Sequence, residues 1–226
     1  MNRLYPVLCL LMGVFPASAG DVQGHAIVTK RLTKKALAPV VYNLRGAVPA
    51  PPAPSQTDPA NEFDRLIVVL EGQGSRPKAP ETVVIDQRNM RFDPDLVVVP
   101  VGSTIQFPNA DPIFHNIFSL SKIQPFDLGF YPQGQSRTLK FSRAGIVQVY
   151  CHIHANMYAA IVVTESPWYA KPAADGSFSW NDVPAGHYRL TAWHKVAGLF
   201  KTEIEVTESG KTEATIRIPI DVDAGR

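Results

Sequence analysis

Cysteine is scarce in this chain, net charge is small, and no segment keeps a helical period. Two cysteines occur in 226 residues, and 22 Lys and Arg against 20 Asp and Glu leave a net charge of +2. So small a surplus, with no cluster of Lys and Arg, excludes a nucleic-acid footprint. Beyond its first twenty residues the chain has no apolar run long enough to cross a bilayer, which takes roughly 20 residues. An apolar content of 45% excludes a disordered chain and suffices for one large or two small domains. Twenty prolines and fifteen glycines indicate many short strands and turns.

Residues 1–19 have the form of a secretory signal. Arg3 supplies the positive start, residues 4–15 an apolar stretch of about 12 residues, and Ala17-Ser18-Ala19 a small-residue cleavage site. The expectation is a periplasmic protein with no membrane span once the signal is removed. Cys9 leaves with the signal, so Cys151 becomes the sole thiol. One thiol makes no internal disulfide, and an oxidising compartment punishes an idle one. Cys151 is therefore either buried and inert or coordinated.

Residues 22–28, 39–44 and 66–70 read as strands, and 47–60, rich in Pro and Ala, as an extended solvated loop. A second punctuated segment covers 72–80. Further strands are expected at 82–85, 96–101, 104–107, 138–141, 146–150 and 159–163. A last group covers 178–180, 188–193, 201–206 and 212–218, with a turn at 182–186. The class is all-β, sandwiches rather than closed barrels. Alternation before the cysteine puts Val147, Val149 and Cys151 on one face, taken as the core side.

The segment Cys151-His152-Ile153-His154-Ala155-Asn156-Met157 lies between two strands, where a loop can turn Cys151, His154 and Met157 toward one point. A helix would smear the same spacing over about 120° of its surface. A thiolate, an imidazole and a thioether are soft ligands that select copper over calcium or magnesium. His115 offers the missing imidazole, after residues 104–107 and their following turn. Two His and one Cys with a weak axial Met define a blue-copper electron-transfer site.

These residues resemble the cupredoxins, most closely the amicyanin and plastocyanin branch of type 1 blue copper proteins. The likeness covers roughly residues 80–165. It rests on Cys-x-x-His-x-x-Met at Cys151, His154 and Met157, on His115-Asn116 upstream, and on Gly102 before a strand ending in Asn109-x-Asp111. It implies a Greek-key β-sandwich with one copper under one end and Asn116 tying the two ligand loops together. It also implies that His154 is the ligand nearest the surface and the route for the electron. The amicyanin likeness points to methylamine-type oxidation as one setting, and respiratory chains are another. Two departures stand out: His152 occupies the position after the cysteine where a hydroxyl residue is common, and Ala155-Asn156 replace a common proline.

Segments 175–178 and 183–190 resemble the second half of a carboxypeptidase-regulatory-like or Cna-B-like, transthyretin-like β-sandwich. Segments 24–30 and 37–44 resemble its first half. Each half alone is too small to be stable. The expected division is a signal at 1–19, half-sandwiches at 20–76 and 166–226, and a cupredoxin domain at 77–165. A linear arrangement, with the N-terminal strands packed on the copper domain, is the alternative. Trp180, Trp193 and Tyr188 are expected in the flanking core, and Phe107, Phe114 and Phe118 in the shell of the site. His25, His187 and His194 are expected at packing or surface positions, with His152 facing solvent.

The expected function is that of an exported single-copper electron carrier, a monomer passing one electron between redox protein partners. A copper chaperone or sensor, or a structural module with a vestigial copper site, are the alternatives. Multicopper oxidases need a second ligand cluster, which the sequence does not offer, and no nucleophile-and-base pair stands out, so an enzyme is not expected.

Overall fold

The computed structural model describes residues 19–29, 61–72, 76–208 and 210–219. The expected signal with Cys9, the strand at 39–44 and the loop at 47–60 lie outside the described residues, although Ala19 itself opens the first strand. The strands begin with β1 (Ala19–Val28), β2 (Leu66–Gly72), β3 (Thr82–Val84), β4 (Asp86–Arg88), β5 (Arg91–Asp93) and β6 (Leu96–Pro100). Next come β7 (Thr104–Pro108), β8 (His115–Ser119), β9 (Phe126–Tyr131), β10 (Ser136–Lys140), β11 (Gly145–Tyr150) and β12 (Tyr158–Thr164). The last are β13 (Tyr169–Ala170), β14 (Ser177–Pro184), β15 (Gly186–His194), β16 (Gly198–Val206) and β17 (Lys211–Ile218). The protein is all-β. Among the described residues the only helical piece is a 3-10 turn at Glu62–Arg65, capped by the Asn61 side chain. No helix there is long and apolar enough to cross a membrane.

Among the described residues four larger sheets, in the orders β14-β1-β17, β13-β2-β15-β16, β6-β12-β11-β8-β9 and β10-β7-β3, are accompanied by a two-stranded sheet, β4-β5. β1 pairs antiparallel with β14 and parallel with β17, and β2 pairs antiparallel with β15. Strands from the two ends of the chain thus share sheets, while β3 to β12 build the others. Glycine permits one of these approaches: the Phe178 ring occupies the space a side chain on Gly24 would fill.

Each pair of sheets encloses a core. Val22, Ala26, Phe178, Trp180 and Ile216 meet Leu66, Val68, Leu70, Tyr188 and Leu190 in one. Ile105, Phe107 and Phe141 meet Ile117, Val147, Val149, Ala159 and Ile161 in the other. A third cluster joins the two. Ile67, Val69 and Trp193 on the back of the β2–β15 sheet pack against Leu96, Ala160 and Val162 on the back of the β6–β12 sheet. This explains why β2 and β12 read as unbroken apolar runs: both of their faces are buried. An ion pair from Lys195 to Asp95 closes the same seam, where Lys195 Nζ also donates to the Tyr158 carbonyl at 3.2 Å.

Three expectations need correcting. Trp193 lies in the seam and not in the flanking core, because its strand faces outward at that position. Phe114 is 56% exposed and forms no part of a shell. Strands β4, β5, β8, β9 and β13 escaped the sequence reading. Most are very short, and β8 buries four of its five residues, which erases any alternation.

His194 is fully buried at the end of β15. Its Nδ1 accepts the N–H groups of Val196 and Ala197 at 3.3 and 3.0 Å, and its Nε2 faces Glu62 at 3.2 Å. It pins the β15–β16 turn to the 3-10 turn. Burial, the largest influence, pushes the imidazole below its ordinary value of 6.5 despite the opposing pull of Glu62. The folded state therefore holds this ring neutral, and the unfolded chain binds the extra proton first as pH falls. That contribution is complete above about pH 6.5 and is lost progressively below it. Melting temperature should fall between about pH 7 and pH 5, and His194→Gln should flatten that slope. A wild-type melting temperature that stays level over the range contradicts the assignment.

Candidate metal centre

Alternation along β11 carries the chain into the site. Val147 and Val149 are fully buried and Cys151 is 5% exposed, while Gln148 on the other face meets solvent. The Cys151 thiol thus enters the core end of the β3–β12 sandwich. The chain then turns back, with the Met157 N–H donating to the His154 carbonyl at 2.9 Å. The bend at 152–153 brings residues 151 and 154 toward a common point.

His115 comes from the loop after β7. Asn109 folds that loop: its Oδ1 accepts the Asp111 N–H, and its Nδ2 donates to the carbonyls of Ile113 and Tyr131. The result is a fully buried imidazole at the first position of β8.

His115 Nδ1 and His154 Nδ1 stand 3.1 Å apart, and Cys151 Sγ lies 3.9 and 3.7 Å from them. Donor atoms bound to one ion at about 2.0 Å for nitrogen and 2.3 Å for sulfur stand roughly 3 to 4 Å apart. The three atoms fit such an ion. Asp111 Oδ2 accepts the His115 Nε2–H at 2.9 Å, which leaves a lone pair on His115 Nδ1 facing the other nitrogen. Two ring nitrogens so close need a proton or a cation between them. Burial first, and the neighbouring His115 second, push the His154 imidazole below its ordinary value, so its neutral form, the ligating one, is favoured.

Met157 is 1% exposed and sits in the same apolar cluster as Cys151. Three of the four residues named from the sequence, His115, Cys151 and His154, thus converge, and Met157 is buried in the core of the same sandwich. His154 is half-buried, whereas the other three are buried, so it is the most exposed of the four. Exposed apolar side chains flank the ligands along the chain: Ile113 and Phe114 before His115, and Ile153 before His154.

Asn116 departs from the expected direct tie between the ligand loops. It is fully buried, its Oδ1 has no partner, and its Nδ2 donates to Asp127 Oδ1 on β9 at 2.7 Å. Asp127 Oδ2 in turn lies 3.4 Å from Nε2 of His152. The His152 ring stacks on Phe118 at 3.8 Å with an interplanar angle of 4°. The loops are thus joined through Asp127. The Gly129 N–H and the Asn116 amide hold the Asp127 carboxyl below its ordinary range. Sequence reasoning named Asp111 within the Asn109-x-Asp111 pattern but gave it no role, and no local signal marks Asp127.

No family model matches the chain, and no curated protein matches it. Solved structures do. The copper-containing nitrite reductase from Thermus scotoductus SA-01 matches at 24% identity and a TM-score of 0.36, over 42% of this chain and 25% of that one. The chain therefore spans about a quarter of the nitrite reductase. A methionine-to-alanine variant of amicyanin in its Cu(I) form matches at 21% identity and a TM-score of 0.36, over 42% of this chain and 99% of that one. The reduced form of a tryptophan-to-tyrosine variant of amicyanin matches at 20% identity and a TM-score of 0.35, over 43% and 98%.

Removing the Asp127 carboxylate leaves the buried Asn116 amide without an acceptor. Asp127→Ala should lower the stability of the metal-free protein by roughly 1–3 kcal/mol, measured by denaturant titration. Equal stability of variant and wild type would show that the bridge between the loops carries no weight.

Proposed function

We propose that this chain is an exported cupredoxin-type carrier that binds one copper ion through His115, Cys151, His154 and Met157. The observation that supports it is the convergence of two imidazole nitrogens and the only thiol of the described residues within 4.8 Å of one another, with a buried thioether in the same apolar cluster. Such a donor set suits copper, which supplies a one-electron Cu(II)/Cu(I) couple when bound.

The chain's own residues determine how that couple behaves. Burial of Cys151 among Val149, Phe107 and Ile117 keeps water from the sulfur. The folded sheets hold His115 and Cys151 in place whatever the charge state, which favours fast electron exchange. Met157 would supply a fourth donor, so no substrate would need a place on the metal, and the reading is a carrier rather than an enzyme. Half-buried His154 offers the electron its way out.

Redox proteins are the proposed partners, docking where Ile113, Phe114 and Ile153 present apolar surface beside the ligands. A protein working on such partners after export would serve in the periplasm as a monomer. The domain reading is a copper domain at 77–165 inserted in a sandwich built from 20–76 and 166–226. The pairing of β1 with β14 and β17, and of β2 with β15, supports it.

Adding Cu(II) to the purified protein should produce an intense visible absorption from the thiolate, and Cys151→Ser should abolish it. Full copper occupancy without colour overturns the proposal.

A further inference from the structure

Asp111 is a buried carboxylate, 7% exposed, that touches a proposed ligand but lies outside the ligand set. Three N–H groups converge on it. Asn89 N–H donates to Oδ1 at 2.6 Å, Met90 N–H to Oδ2 at 2.8 Å, and His115 Nε2 to the same Oδ2 at 2.9 Å. The two backbone donors belong to the two-residue turn between β4 and β5, whose residues both adopt left-handed backbone, with φ of 56° and 55°. Methionine rarely accepts that conformation. The turn points both successive N–H groups at one carboxylate, and strain of this kind persists only where surrounding structure enforces it. Three N–H donors aimed at one carboxyl group favour its ionised form.

We infer that Asp111 is a positioning residue that orients His115 and biases the metal centre toward its oxidised form. A carboxylate on Nε2–H fixes the tautomer that leaves Nδ1 free to ligate, and it raises the donor strength of that nitrogen. Its negative charge sits in a weakly screened interior one imidazole away from the metal position. Both effects favour the ion carrying the larger positive charge. The β4–β5 turn, remote from the ligands in sequence, holds the carboxylate in place for this task. The inference rests on the copper reading above.

The test compares wild type with Asp111→Asn, which keeps the shape and removes the charge. Cu(II) affinity should fall about tenfold relative to Cu(I) affinity, since partners of ligating histidines are typically worth 10–100-fold. For a one-electron couple a tenfold change is a rise in reduction potential of about 59 mV, read by voltammetry. An unchanged potential in a variant that keeps the wild-type absorption overturns the inference and leaves the copper reading intact. A wild-type protein without thiolate absorption removes the copper reading itself. Should Asp111→Asn not fold, nitrogen NMR of the Cu(I)-loaded wild type decides. A proton on His115 Nε2 in a strong hydrogen bond supports the inference, and a proton on Nδ1 overturns it.

Discussion

Two strands, β2 and β12, bury both of their faces, and the molecule is assembled around that fact. The inward residues of each strand complete the core of its own sandwich, and the residues between them form the seam that joins the two. A continuous stack of four sheets results, with Lys195 and Asp95 paired at the seam. Close-packed interiors deform little. The sheet that delivers Cys151 is therefore braced from behind by a second sandwich, at the opposite side from its own partner sheet.

Within this frame the site is held by carboxylates as much as by apolar packing. Asp111 orients His115 from below and is itself held by the β4–β5 turn. Asp127 joins Asn116, beside His115, to His152, beside Cys151. Two strand ends that are 36 residues apart in sequence are thus locked at both sides of the proposed metal position. His152 is held on two sides, by its stack on Phe118 and by the Asp127 carboxylate.

Much of the fold could be read from alternation. The faces of β11 were legible because Gln148 falls between Val147 and Val149, and β14, β16 and β17 were legible from similar alternation. β8 was not, since a strand buried on both sides has no alternating signal, and β4, β5 and β13 are too short to carry one. Phe114 and Trp193 were misplaced because hydrophobicity shows that a side chain gains by burial without showing which surface covers it.

The approach of Cys151 to His154 was legible in the sequence, because a short loop between two strands constrains the reach of its own side chains. His115 follows from the chemistry that such a loop leaves incomplete. Pairing of the chain's two ends, the seam through Trp193, and the positions of Asp111 and Asp127 were decided only by tertiary structure. These contacts join residues far apart in sequence, and a carboxylate carries no mark of the imidazole or amide it will meet until the sheets have brought them together.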